Sequence, residues 1–302
     1  MEGKLSPGGC YRESVKKPVT TQMKHTGSRL FKKFLDALTS GSFAPGIQKS
    51  IWKHWYQLLT RYWRNDDWCF MNYGYLPEAG TPQLHLEERD EKDRCFISLY
   101  QHVLNGIPVS GLRLLEVGSG RGGGSAYIAR YLGPREMVGV DFAATSVALS
   151  NRLHSHADIL RFVEGDAEAL PFDDSAFDVV LNIESSHCYA DMSRFVAEVS
   201  RVLKPGGYFA WADMRGPEMM SATERVFTHP ELLLIRAENI TPGVIRALDA
   251  VHDRKLELIR KVWMMRPLLH EFVGARGSLL YNGLKSGKVI YLTRTFQKRQ
   301  GS

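Results

Sequence analysis

Cysteine is scarce in this chain. Cys10, Cys69, Cys95 and Cys188 are scattered without a C-x-x-C pair, which argues against both a secreted disulfide framework and a zinc site. No metal is therefore expected. Long apolar runs are also missing: no stretch approaches the ~20 residues of a membrane-spanning helix, and residues 1–25 lack the hydrophobic segment of a signal peptide. A cytoplasmic protein with no integral membrane segment follows. There is no internal repeat or low-complexity tract, and no module interleaves basic and aromatic side chains for nucleic acid. The net charge of +6 gathers in residues 4–33 and 294–299, where it reads as solubilising, so no nucleic-acid partner is expected.

What is present is an ordinary soluble composition, 44% hydrophobic and 24% charged over 302 residues, enough for one sizeable core. The organising stretch is Leu114-Leu-Glu-Val117, a buried strand pattern. It runs into the glycine-rich Gly118-Ser-Gly-Arg-Gly-Gly-Gly124 and then into helical spacing through Leu132. Gly118, Gly120 and Gly123 satisfy G-x-G-x-x-G, in which glycine permits a sharp turn and lets a ligand approach the backbone. A dinucleotide and S-adenosylmethionine both use such a turn. The first places a pyrophosphate at the helix N-terminus; the second has no phosphate and carries cationic groups, so it tolerates acids nearby. Glu116 precedes the turn, Asp141 closes the next strand, where a carboxylate can accept ribose hydroxyls, and Asp166 and Glu168 follow a third strand near residues 160–163. An acid at this third place suits the amine of adenine.

Along the chain, residues 1–27 read as a mobile tail. Residues 28–38 place Leu30, Phe31, Phe34, Leu35 and Leu38 on one helical face, which docks on its own subunit or swaps onto a neighbour in a homo-oligomer. Residues 47–64 read as a second helix, rich in Trp and Tyr, and Trp68, Phe70, Tyr73 and Tyr75 continue the series. Those rings pack the N-terminal layer or line an apolar pocket that steadies positive charge. A helix is expected over 86–105, and from Leu112 strand and helix alternate, which predicts an α/β, Rossmann-like, doubly wound sheet. Beyond Asp213 the rhythm breaks: 219–227, 231–238 and 241–269 read as helices of a cap insertion at about 214–275. Residues 277–283 and 289–296 read as a closing antiparallel hairpin that completes seven strands. The domain plan is thus tail 1–27, N-terminal helices and aromatic cap 28–85, and the main domain 86–302.

Glu116-Val-Gly-Ser-Gly120, Val140-Asp141, Gly165-Asp-Ala-Glu-Ala-Leu-Pro-Phe-Asp173, Phe177-Asp-Val-Val-Leu-Asn-Ile183 and Val202-Leu-Lys-Pro-Gly-Gly-Tyr-Phe209 stand in this order. At these separations the sequence resembles a class I S-adenosylmethionine-dependent methyltransferase over roughly residues 90–215. Glu184-Ser-Ser-His-Cys-Tyr189 and Asp67-Trp-Cys-Phe-Met-Asn-Tyr-Gly-Tyr75 are similar to the branch that includes the phthiotriol and phenolphthiotriol dimycocerosate methyltransferases. More distantly the chain is similar to ubiquinone and sterol methyltransferases. The resemblance implies S-adenosyl-L-methionine as donor and a hydrophobic small molecule as acceptor. It places Glu116, Gly118, Ser119, Gly120, Asp141, Phe142, Asp166, Ala167, Glu168, Asn182 and Ile183 around the donor, with Phe142 against adenine and Asp166 with Ala167 at the adenine edge.

Methyl transfer is an in-line displacement that gains most from alignment and desolvation. A base helps a hydroxyl acceptor, and His187 has the right ordinary pKa for that task. Glu184 is the second candidate, or else an anchor for its loop, while Tyr73, Tyr75 and Tyr189 are candidates for orienting the acceptor. O-methylation of a lipid or polyketide-like metabolite is the leading expectation. The alternatives are C-methylation of an isoprenoid or prenylated aromatic through a carbocation, and a protein that binds the donor without turnover.

Overall fold

The computed structural model describes residues 68–154, 157–260 and 266–300. The expected tail 1–27, the helix 28–38 and the aromatic helix 47–64 lie outside the described residues. After two short helices, α1 (Glu88–Glu91) and α2 (Arg94–Leu104), the chain alternates β1 (Arg113–Val117), α3 (Gly123–Tyr131), β2 (Glu136–Asp141), α4 (Ala144–His154), β3 (Leu160–Glu164) and β4 (Phe177–Ile183). It continues through a single 3-10 turn (Ser186–Cys188) to α5 (Met192–Val202), β5 (Leu203–Arg215), α6 (Pro217–Phe227) and β6 (Leu232–Asn239). Helices α7 (Thr241–Ala250), α8 (His252–Arg260), α9 (Arg266–Phe272) and α10 (Leu279–Lys285) precede β7 (Ile290–Lys298).

The seven strands form one sheet in the order β3-β2-β1-β4-β5-β7-β6. β1 to β5 pair in parallel and β7 runs antiparallel between β5 and β6. Burial on both faces explains why the central strands read as nearly continuous apolar runs. Leu114, Met137, Val179 and Leu181 point to the layer of α2, α3 and α7; Leu115, Val117, Val138, Val140 and Val180 point to α5 and α6. The period of two sorts alternate residues to opposite faces.

Several expected elements are corrected. The helix expected over 86–105 is two, α1 and α2, with Lys92 as the α1 C-cap and Asp93 as the α2 N-cap. The span expected as one helix over 241–269 is divided into α7, α8 and α9. Residues 231–238 read as helix, yet 232–239 is the edge strand β6. Residues 277–283 read as the first arm of the hairpin, yet Ser278 caps a helix there by accepting from the Tyr281 amide at 3.1 Å. The antiparallel partner of β7 is therefore β6, from Leu232 opposite Lys298 to Asn239 opposite Leu292. Short apolar runs suit either conformation, and only long-range pairing decides between them. Among the described residues no helix is long and apolar enough to cross a membrane.

The connections after β1 and after β4 leave in opposite directions along the sheet. In doubly wound sheets the crevice at the carboxyl ends of two such strands is where ligands bind. Here it is bordered by the glycine turn after β1 and by Glu184 to Tyr189 after β4.

Candidate active site

The turn adopts the backbone that only glycine enters freely: φ is +78° at Gly118 and +54° at Gly120. A Cβ on Gly118 would fall 2.3 Å from Ser185 Oγ and 3.1 Å from Tyr189 Oη. One on Gly120 would meet Met71 Sδ at 3.4 Å. The turn is thus buttressed on one side by the loop after β4, and approached on the other by the segment 68–75. The Gly118 and Ser119 amides donate to Val140 O, and Gly123 donates to Cys69 O at 3.2 Å.

Asp141 ends β2 beside this turn. Its Oδ2 accepts from the Gly120 amide at 2.9 Å and its Oδ1 from the Ala143 amide at 2.9 Å. Burial pushes this carboxyl up to about 6 against those two bonds. Each oxygen keeps a lone pair for a hydroxyl. Half-buried Phe142 follows it. Asp166 and Ala167 stand on the loop after β3, where Asp166 Oδ1 accepts from the Glu168 amide at 3.0 Å and Ala167 packs on the core.

Behind the turn, Glu116 is 1% exposed. Tyr100 Oη donates to its Oε1 at 2.7 Å and Ser125 Oγ donates to its Oε2. Burial drives this carboxyl up to about 7, although both hydroxyls pull it down. Glu116 therefore fastens β1 to α2 and α3. Asn182 is also buried: its Nδ2 approaches Val117 O at 2.9 Å, Ser185 Oγ at 2.7 Å and Tyr189 Oη at 2.9 Å. These contacts make Asn182 and Tyr189 buttresses of the glycine turn, with Ile183 buried beside them. Glu168 Oε1 accepts from the Ala190 and Asp191 amides and so fixes the entry to α5.

The loop after β4 carries the acid-base groups. Glu184 sits at φ +50°, a left-handed conformation that is uncommon outside glycine. Its Oε1 accepts from the Tyr73 amide at 2.8 Å and from Tyr291 Oη at 2.6 Å, tying segment 68–75 to β7. Burial raises its carboxyl to about 7.

His187 Nδ1 lies 2.8 Å from Asp213 Oδ1, and the His187 amide donates to Asp213 Oδ2 at 2.9 Å. Asp213 is fully buried on β5 and pairs with Arg215 Nη1 at 2.9 Å. Ser186 Oγ donates to Asp213 Oδ2 at 2.6 Å and accepts from Trp211 Nε1 and Arg215 Nη2. Burial opposes the imidazolium, but Cys188 and the Asp213 carboxylate outweigh it and hold the His187 pKa well above its ordinary value. Burial likewise opposes the Asp213 carboxylate, yet His187 and Arg215 hold its pKa far below normal.

The sequence reading of Asp213 as merely a strand end missed this pair. The signal was there: Trp211, Asp213 and Arg215 alternate along one strand, and the period of two puts them on one face. Tyr73 reaches the site through its amide, while its hydroxyl donates to Phe272 O at 3.1 Å. The Tyr75 ring lies 4.3 Å from that of His102, and a Cβ on Gly243 would meet it.

A family model described as a methyltransferase domain matches residues 115–211. The phthiotriol/phenolphthiotriol dimycocerosates methyltransferase of Mycobacterium tuberculosis is 38% identical over 264 residues, covering 87% of this chain and 97% of that protein. The chain belongs to the S-adenosylmethionine-dependent methyltransferases. A fatty-acid O-methyltransferase of Mycolicibacterium smegmatis is 39% identical over 220 residues, 70% of this chain and 79% of that protein. Among solved structures, geranyl diphosphate C-methyltransferase of Streptomyces coelicolor, in complex with S-adenosyl-L-homocysteine, superposes with a TM-score of 0.58. Its identity is 19%, and the match covers 80% of this chain and 97% of that one. The methyltransferase uses S-adenosyl-L-methionine, and its crevice suits such a donor. A side chain is excluded at Gly118, the Asp141 carboxylate has unused lone pairs, and the buried Ser119 Oγ has no protein partner among the described residues.

Proposed function

We propose that this methyltransferase alkylates an oxygen of an apolar, lipid-like acceptor, with His187 as the base that takes the acceptor's proton. The observation that carries the proposal is the 2.8 Å contact between His187 Nδ1 and Asp213 Oδ1. A carboxylate on Nδ1 fixes the tautomer and orientation of the ring, which makes Nε2 its basic nitrogen. The relatives named for phthiotriol dimycocerosates and for fatty acids both support an apolar acceptor, and the fatty-acid O-methyltransferase supports an oxygen nucleophile.

When bound, S-adenosylmethionine supplies a methyl group on a positively charged sulfur. Gly118, Ser119 and Gly120 would hold its amino-acid portion, Asp141 its ribose, and Phe142, Asp166 and Ala167 its adenine. Glu116, Asn182, Ile183 and Glu168 hold the walls of that cradle. Glu184 and Tyr73 hold segment 68–75 over the crevice, which excludes water from the acceptor. The donor would leave as a neutral thioether when its carbon–sulfur bond breaks; His187 Nε2 would take the proton that the acceptor oxygen loses, and Asp213 would stabilise the resulting imidazolium.

The deciding experiment incubates the protein with methyl-labelled donor and a chain-matched panel of long-chain alcohol, acid, phenol and prenylated quinone. A labelled methyl ether or ester is expected. Label on carbon would replace this reading with C-methylation. The proposal extends to a cytoplasmic homo-oligomer in which the 28–38 helix crosses to a neighbour. It rests on the amphipathic pattern of that helix, and an unchanged oligomeric mass after deletion of residues 1–38 would end it.

A further inference from the structure

Asp213 holds two cations, and the transfer of the acceptor's proton uses only His187. The other is Arg215, the last residue of β5, which is 1% exposed and charged at every physiological pH. All three nitrogens of its guanidinium are engaged. Nε donates to Thr223 Oγ1 of α6 at 3.0 Å, Nη1 donates to Met214 O at 2.7 Å and pairs with Asp213 Oδ2 at 2.9 Å, and Nη2 donates to Ser186 Oγ at 2.7 Å. The guanidinium carbon lies 4.9 Å from the centre of the Trp211 ring. An apolar side chain would hold a strand end against a helix at lower cost, so a charge buried this completely calls for a reason beyond packing.

The reason lies in the state that His187 must reach. Asp213 Oδ2 is taken by Arg215, by Ser186 Oγ at 2.6 Å and by the His187 amide at 2.9 Å, while Oδ1 accepts from the Met214 amide at 2.8 Å and faces His187 Nδ1 at 2.8 Å. When the ring is neutral, Asp213 and Arg215 remain as a closed ion pair. Without Arg215, the same neutral ring would leave a fully buried carboxylate with no cation, which is strongly unfavourable. The imidazole would then keep its proton and could take none from an acceptor. With Arg215 in place, a proton on His187 adds a second positive charge to a site that already holds one. The other groups that face His187 are Cys188 and Glu184 on its own loop. Tyr73 from segment 68–75 and Tyr291 from β7 interact with Glu184 and Asp213, but burial pushes both phenols up and keeps them neutral; Lys255 of α8 interacts with Glu184. Among the described residues, Arg215 is the one permanent cation paired with Asp213.

We propose that Arg215 is a positioning residue for the methyl transfer: it keeps Asp213 charged and paired when His187 is neutral, and so lets the ring stand ready as a base. The assignment rests on the reading of His187 as that base, and adds to it the group that lets the ring lose its proton between turnovers.

The test follows the His187 ring by NMR titration of the full chain carrying isotope-labelled histidine, beside the pH dependence of kcat on a long-chain alcohol. His187→Gln assigns the signal. Arg215→Met and Arg215→Gln, which remove the charge, should each move the titration of His187 and the rising limb of kcat up by about one pH unit or more, so that kcat at pH 7 falls about tenfold or more. Arg215→Lys, which keeps the charge, should move both by less than about half as much. A titration that stays in place in a folded neutral variant overturns the assignment, and so does an equal displacement in Arg215→Lys. Loss of the fold in both neutral variants, seen as lost donor affinity and a lost thermal transition, assigns Arg215 to the core and also overturns it. The two readings fail separately. A His187 titration that moves while the kcat limb stays removes His187 as the base, whereas a limb that vanishes in His187→Gln but ignores Arg215 removes only the Arg215 assignment.

Discussion

His187 shows how a residue's chemistry is set by what lies behind it. Its ordinary pKa would leave it mostly neutral at pH 7, but Cys188 and the buried Asp213 hold it well above that value. Only the neutral ring accepts a proton, so kcat on a hydroxyl acceptor should climb as pH rises through this raised value, well above 6.5. His187→Gln should lower kcat by about a hundredfold or more, leave donor affinity within a factor of about two, and erase the limb. A pH–rate profile of the two proteins decides it; a limb that persists in the variant assigns the titration elsewhere. His187, Glu184 and Asp141 could be placed from sequence because each follows a recognisable strand by a fixed step. Asp213 could not, since its importance comes from the two charges that share its burial.

At the scale of elements, the glycine turn and the parallel strands were legible, because their signals are local: a run of β-branched and leucine side chains, then glycines at positive φ. The closing strands were not. β6 exposes Leu233, Leu234 and Ile235 at the sheet edge, so it lacks the alternation that marks a half-buried strand. Its partner β7 follows only after four helices among the described residues. The turn itself makes a sharp prediction. Gly118→Ala places a methyl group against Ser185 and Tyr189 in a backbone conformation that L residues avoid, which costs about 1–3 kcal/mol. Either the loop after β4 yields or the turn does, and donor Kd should rise about tenfold or more. Gly111→Ala is the control: its φ is +74° but nothing lies within 4 Å. It should cost stability and leave donor affinity unchanged. Equal losses in both variants would mean that backbone strain, not the shape of the cradle, governs binding.

The whole molecule carries buried and half-buried carboxyls at the carboxyl ends of its central strands, and this gives its stability a particular dependence on pH. Glu116 and Glu184 are each raised to about 7 and Asp141 to about 6. A carboxyl whose folded pKa exceeds its unfolded value, 4.5 for Glu and 3.8 for Asp, binds its proton more tightly in the folded chain. Its contribution is fully present below 4.5 and is lost as pH rises through 7. Asp213 has the opposite sign, since its depressed pKa favours the fold until strongly acid pH. The donor-free protein should therefore be more stable near pH 5 than near pH 8, and Glu116→Gln isolates one share of that difference. Glutamine keeps the shape and can still bridge Tyr100 and Ser125, but cannot ionise. Its thermal midpoint should match the unaltered protein at pH 5 and exceed it by several degrees at pH 8, the equivalent of ~2 kcal/mol. Two melting curves that stay parallel across that range would show that Glu116 keeps the same protonation in the folded and unfolded chain. Its two hydroxyl partners would then be holding β1, α2 and α3 together at every pH tested.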